Sequence, residues 1–179
     1  MKSRTLTGIT AMALLTALAI PVRLPAQHNQ DRKDAIFITF DPPGSILNYA
    51  ASINPAGAIT GNYDDASFTS HGFLRARDGS FTTFDPPGAT QGTFPGSINP
   101  AGAITGYYID TSDLEHGFLR ARDGTFTTFD APGATGTTAA SINPAGEITG
   151  NYVDASRTEH GFLRIPCGKD DHADTKGCN

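Results

Sequence analysis

The chain of 179 residues has no tryptophan, only two cysteines and few positive charges. Without tryptophan it lacks the largest aromatic platform on which a sugar ring can stack. The two cysteines allow at most one disulfide within the chain. Its 13 Lys and Arg are outnumbered by 18 Asp and Glu, and an acidic chain does not neutralise phosphates. Nucleic acid and anionic membrane surfaces are therefore poor partners.

Sequence motifs of common enzymes are also missing. No serine lies in a nucleophile elbow, since Ser97 precedes Ile-Asn-Pro in a predicted strand. The glycines follow turns instead of opening a helix, so no phosphate-binding loop is predicted. No Asp-x-Asp-x-Asp-Gly calcium loop occurs either. The sequence predicts no cofactor, no metal site and no catalytic residue, and the protein is expected not to be an enzyme.

The first 26 residues have the pattern of a secretory signal peptide. Lys2 and Arg4 precede an uncharged apolar run, residues 9–20, and Ala26 follows as a small residue for cleavage. The run is short for a bilayer span, which needs about 20 residues. We expect a secreted, periplasmic or extracellular protein, and an uncleaved N-terminal anchor is the alternative. Cleavage would leave 10 basic against 18 acidic residues, and residues 27–35 are expected to be flexible.

Both cysteines, Cys167 and Cys178, lie in a C-terminal tail, residues 165–179. In an exported protein two cysteines most simply form a disulfide. The alternatives are free thiols or a metal site with His172 and nearby acids, although the spacing matches no established zinc motif.

The rest of the chain is a threefold repeat. "SINPAG" begins at Ser52, Ser97 and Ser141, and "HGFLR" begins at His71, His116 and His160. The period of 44 to 45 residues is typical of stacked β modules. We expect one β domain over residues 36–164, with repeats of approximately 36–80, 81–124 and 125–164.

The middle repeat predicts four strands. "FTTFD" (81–85) is rich in β-formers, and the prolines after it end the strand. A variable loop leads to "SIN", and "NPAG" predicts a β-turn. "AITGYYID" (103–110) alternates with period two, as does "HGFLRARD" (116–123), and Asp123-Gly124 predicts a hairpin into the next "FTTFD".

Four antiparallel strands per repeat predict an all-β fold built like propeller blades. Closed propellers have typically about 4–8 blades, so three are too few. The prediction is a partial or oligomer-completed β-propeller, with an open stacked β array as the alternative. A homo-oligomer is the expected partner state, because a dimer would supply six blades. Alternatively, the C-terminal tail caps the last blade, or the chain is a shortened relative of a longer array.

The motif Ile-Asn-x-x-Gly-x-Ile-x-Gly, followed by His-x-Phe-Leu, occurs in every repeat. It resembles the HAF-type extracellular repeat of bacteria, although Gly72, Gly117 and Gly161 stand where that family's name has alanine. The resemblance covers about residues 37–164. It implies an exported, propeller-like β-repeat protein and no particular activity.

Three residue types recur with fixed spacing and are the candidate site. They are the strand-end tyrosine, the aspartate after it and the histidine six residues later, which are Tyr63, Asp65, His71, Tyr108, Asp110, His116, Tyr152, Asp154 and His160. An aspartate and a histidine at the two ends of one loop can meet. Because they recur in every copy, a structural tie is the main interpretation. Repeated shallow ligand sites and a catalytic base are the alternatives.

Three functions follow as hypotheses. The first is a secreted, non-catalytic interaction or ligand-binding module, with carbohydrate as the ligand and the variable segments as binding loops. The second is a structural cell-envelope repeat protein with no small ligand. The third, and least favoured, is a polysaccharide hydrolase. A glycan or an envelope component is thus the expected partner besides a second copy.

Overall fold

A computed structural model describes residues 35–167, and from Thr39 onward these residues belong to one compact unit. The described residues are all-β and include no helix, which confirms the predicted fold class. Accordingly, no helix long and apolar enough to cross a membrane occurs in this range. The predicted signal peptide and the Cys178 end of the predicted disulfide lie outside the described residues.

The described residues form eleven strands in three antiparallel sheets, each ordered as in the chain. The first sheet contains β1 (Leu47–Ile53), β2 (Ile59–Asp64), β3 (Ser70–Arg75) and β4 (Phe81–Phe84). The second contains β5 (Gly92–Ile98), β6 (Ile104–Ile109), β7 (Glu115–Arg120) and β8 (Phe126–Phe129). The third contains β9 (Ala134–Ile142), β10 (Ile148–Asp154) and β11 (Glu159–Arg164). The described sheets do not close into a barrel.

The predicted turns are present. In the second sheet the Gly102 N–H donates to the Asn99 carbonyl at 3.0 Å, and the Asn99 side-chain oxygen accepts the Ala103 N–H at 3.0 Å. Gly102 has a φ of 86°, which glycine adopts without strain. After β7, the Asp-Gly turn brings Phe126 opposite Arg120. Local turn chemistry therefore sets the register of each hairpin.

The sheets are offset from the sequence repeats. "FTTF" is the last strand of the preceding sheet, pairing β4 with β3 and β8 with β7. The related segment "FITF" at residues 37–40 forms no strand. The prediction of four strands per repeat holds for two sheets, whereas the third has three among the described residues. The reason lies in the sequence, because Ile165-Pro166 follows β11 where the other copies continue into Ala-Arg-Asp-Gly and "FTTF".

The variable segments were wrongly predicted as loops. "GTFPGSI" is a continuous strand, β5, and the corresponding segment of the third repeat is β9. Each first strand contains a β-bulge, which lies between Pro95 and Ser97 in β5. A bulge admits an extra residue and bends the strand. This irregular pairing hides the strand's period-two pattern.

The first strand of each later sheet packs against the middle strands of the preceding sheet. Ile98 of β5 belongs to an apolar cluster that includes Ala58 and Leu74 of the first sheet. Ile142 of β9 has the same role beside Ala103 and Leu119 of the second sheet. The core is therefore a series of layers between neighbouring sheets.

Phenylalanines of "FTTF" join one sheet to the next. Phe84 pairs within the first sheet, yet its ring lies edge-on to Phe118 of the second sheet, with ring centroids 6.3 Å apart. The Arg120 guanidinium also packs on this phenylalanine, 4.9 Å from the centre of the Phe84 ring. A desolvated cation over an aromatic face contributes about 2 kcal/mol or more.

Candidate functional site

Cross-strand pairing positions the tyrosine and the histidine of each copy. Tyr108 on β6 stands directly opposite His116 on β7, and their rings stack with centroids 5.2 Å apart. The Tyr63–His71 and Tyr152–His160 pairs are 5.5 Å and 5.0 Å apart. Because Tyr63 and Tyr108 are buried, their rings hold one side of each imidazole in place.

The aspartate folds the loop between these two strands. Oδ1 of Asp110 accepts the N–H groups of Ser112 at 2.7 Å and Leu114 at 3.0 Å, and Oδ2 lies 3.3 Å from Nε2 of His116. The same arrangement places Asp65 3.4 Å from His71 and Asp154 3.1 Å from His160. Hydrogen bonds from the loop backbone are the main reason that the pKa values of all three aspartates are lowered. The structure thus brings every predicted Tyr–Asp–His set together.

A second carboxylate, which the sequence pattern did not predict, lies on the other ring nitrogen. Asp85 Oδ2 is 2.8 Å from Nδ1 of His71, and both carboxylate oxygens of Asp130 are 3.0 Å from Nδ1 of His116. Both acids directly follow "FTTF", and this recurrence is the sequence feature from which a second carboxylate at the histidine could have been predicted. Since no fourth strand is described for the third sheet, the contact described for His160 is with Asp154.

Two carboxylates on one imidazole favour its charged form. Only the doubly protonated ring can donate from both nitrogens. Burial lowers the pKa of His71, but the hydrogen bonds and charges of Asp85 and Asp65 outweigh it and raise the pKa above the ordinary 6.5. For His116, Asp130 and Asp110 outweigh burial in the same way and raise the pKa.

The doubly contacted histidines are poorly arranged for catalysis or metal binding. A general base needs an unprotonated nitrogen that faces the substrate, whereas both nitrogens of His71 and His116 face carboxylates. The carboxylates lie at opposite edges of the ring and do not converge on one point. Within residues 35–167, no group of three or more His, Cys, Asp or Glu is placed to hold a metal ion.

Asp85 also joins the first sheet to the second. Its Oδ1 accepts the hydroxyl of Thr93, a fully buried residue of β5, at 2.6 Å. Beside this contact is a cleft of about 30 Å³, lined by residues that include His71, Asp85 and Thr93. A volume of about 30 Å³ corresponds to roughly one water molecule. The cleft is therefore too small for a sugar ring.

Comparison of the chain with family models, with curated proteins and with solved structures gave no match.

We expect the melting temperature to fall as the pH rises from 6 to 8.5. The raised pKa values of His71 and His116 mean that the folded chain binds these protons more tightly than the unfolded chain. Their contribution is complete below the unfolded pKa of about 6.5 and is lost as the pH rises through the folded pKa. Thermal unfolding followed by circular dichroism over this range measures the slope.

The His71→Gln/His116→Gln variant should flatten that slope. His160→Gln is the matched control and should keep it, because both doubly contacted imidazoles remain. An unchanged slope in the double variant would contradict the assignment. Asp65 and Asp110 affect stability at acidic pH. Because their pKa values are lowered in the folded chain, the stability that they contribute is lost as the pH falls below about 3.8.

Proposed function

We propose that the protein is an exported, non-catalytic interaction module of the HAF type. The observation that carries the non-catalytic part is the pair of carboxylates on each of His71 and His116, which occupies both ring nitrogens. Export is supported by the pattern of residues 1–26, and the HAF relationship by the motif that recurs in all three copies.

A polysaccharide hydrolase has the least support. Such an enzyme needs a pair of acids flanking a cleft that admits the glycosidic bond. Asp65 and Asp85 flank an imidazole instead, and the cleft beside them holds about one water. The repetition of the same arrangement around His116 favours a structural tie that fastens the β6–β7 loop to the end of β8.

Sheet faces, and not loops, are the surfaces we propose for interaction. The variable segments form the first strands, so they do not support a glycan site built from loops. Tyr49 of β1 is 53% exposed and offers an aromatic ring to a glycan or another envelope component. A purely structural role in the envelope is the second candidate, favoured by the exposed strand faces at both ends of the array.

The Asp110→Ala/His116→Ala variant separates a tie from a binding site. If these residues form a tie, we expect a lower melting temperature and unchanged binding by the folded protein to a glycan array and to isolated cell envelopes. Asp113→Asn is the matched control, because it removes an acid from the same loop and tolerates the positive φ of 61° there. Loss of binding with the fold retained would overturn the tie and favour a ligand site at His116.

The same measurements choose between the two candidates. Binding to a defined glycan by the unmodified chain, lost in Tyr49→Ala, supports a carbohydrate-binding module. Retention on envelopes without any glycan binding supports the structural role. Hydrolysis of a polysaccharide by the unmodified chain would refute both.

A further inference from the structure

The same interface between sheets occurs twice within the chain. Ile98 of the second sheet is 5% exposed and lies in the cluster with Ala58 and Leu74 of the first sheet. Ile142 of the third sheet is 7% exposed and lies in the cluster with Ala103 of the second sheet and with Leu119, which is the equivalent of Leu74. Each interface thus brings together an isoleucine that ends a first strand, a leucine on the third strand of the preceding sheet and the alanine just before its second strand.

Buried asparagines form the polar part of this interface. The Asn54 side-chain N–H donates to the carbonyl of Asn99 at 3.2 Å, and the Asn99 side chain donates to the carbonyl of Asn143 at 3.2 Å. Asn54 and Asn99 are 7% and 4% exposed. These asparagines form a ladder from one sheet to the next, and the ladder fixes how neighbouring sheets align.

The two ends of the array each expose one half of the interface. Ile53 of β1, the equivalent of Ile98 and Ile142, is 65% exposed. Leu163 of β11, the equivalent of Leu74 and Leu119, is 62% exposed. Thr149 of β10 is also exposed, whereas its equivalents in the other two sheets, Thr60 and Thr105, are completely buried. The outer face of the third sheet and the outer face of the first sheet are therefore complementary.

We propose that two copies of this chain associate head to tail, with the third sheet of one copy against the first sheet of the next. A second copy of the chain is the expected partner of each exposed face, because the contact would repeat an interface that the chain already makes twice between its own sheets. Such an interface joins two different faces, so it forms either a closed ring or an open fibre. A ring of two copies would contain six sheets, within the range of closed propellers.

Glu147 weakens this association. It replaces the alanine found at Ala58 and Ala103, and it accepts a hydrogen bond from the side chain of Asn143. In the head-to-tail contact its carboxylate would approach the position of Ile53 in the next copy. Because a carboxylate without a cationic partner is costly to bury, Glu147→Ala should tighten self-association by about tenfold or more.

The test is a complementation experiment by size-exclusion chromatography with light scattering. The unmodified full chain should form dimers or larger species at micromolar concentration. Ile53→Asp and Leu163→Asp each place an acid in one face and should weaken association by at least about a hundredfold. Mixing the two variants should restore a 1:1 dimer, because each then offers its intact face to the other.

Phe68→Asp is the matched control, since Phe68 is 74% exposed in the β2–β3 loop and the second repeat has Asp113 at that position. It should associate like the unmodified chain, and thermal unfolding should show all three variants folded. A monomeric unmodified chain would overturn the proposal and indicate that the chain's own terminal segments cover the faces. A mixture of the two variants that stays monomeric would overturn it as well. These outcomes do not depend on glycan or envelope binding.

Discussion

Gly106→Ala is expected to destabilise the protein by more than about 3 kcal/mol, beyond the usual cost of an overpacked core. A Cβ at this position would lie 2.2 Å from the carbonyl oxygen of Phe94 and 2.7 Å from Cα of Pro95. Both are backbone atoms at the bulge of β5, so no side-chain rotation can relieve the collision. Urea unfolding of the variant should show a much lower midpoint or no cooperative transition.

Gly161→Ala is the matched control. It is also a strand glycine, but the nearest atom to its added Cβ is the Gly150 carbonyl oxygen at 4.0 Å. Its stability should change by no more than about 0.5 kcal/mol, as for other substitutions away from special features. Equal effects of the two substitutions would show that loss of glycine itself, and not the close approach to β5, determines the result.

Phe118→Ala should cost about 3–5 kcal/mol, the usual range for truncating a buried phenylalanine. Phe118 is completely buried, and it contacts Phe126 of its own sheet and Phe84 of the preceding one, with ring centroids 6.0 Å and 6.3 Å away. Its removal therefore opens a cavity between two sheets. The free energy of unfolding from urea titration measures the loss.

Phe162→Ala is the comparison for this substitution. Phe162 occupies the same position in the third repeat, but it is only partly buried, and Phe129 is the one aromatic ring described near it. Its truncation should cost about half as much, since less surface returns to water. A cost equal to that of Phe118→Ala would mean that the open side of Phe162 beside β11, where Phe126 packs on Phe118 in the second sheet, is covered in solution.

Strands and turns could be predicted because their signals are local. The alternation of Ile148, Gly150 and Tyr152 with exposed Thr149 and Asn151 is complete within one strand. Proline, asparagine and glycine define the turns through backbone preferences that need no distant partner. Threefold repetition then strengthened each assignment.

The partners of the strands could not be predicted in the same way. The sequence "FTTF" predicts a strand but does not indicate which strand it pairs with. Phe84 belongs to a strand of the first sheet, whereas its ring packs on the second sheet. The first strand of each sheet was harder to predict, because residues such as Pro95 and Gly96 in β5 have low β-propensity. Burial between two sheets decides their conformation, and this burial depends on residues about 45 positions away in the chain.

Only the local part of the candidate site could be predicted from the sequence. Asp110 and His116 flank one short loop, so their contact follows from sequence spacing. Asp130 reaches His116 across the β7–β8 pair, fourteen residues away, and its role depends on strand pairing. With that second acid, both ring nitrogens of His116 face carboxylates, and the imidazole links the β6–β7 loop to the end of β8.

The asparagine ladder allows the number of repeats to change by gene duplication. Asn54 and Asn99 each accept a backbone N–H within their own turn and donate a side-chain N–H to the carbonyl of the asparagine in the following turn. The middle unit therefore makes these bonds without residues from either terminus. If a copy of the middle unit were inserted, its asparagine carbonyl could accept the hydrogen bond from the preceding asparagine. Its own side-chain N–H could donate to the carbonyl of the next one, and no new side chain would be needed. Growth by whole units is thus compatible with the geometry, while the first and last units keep their distinct residues.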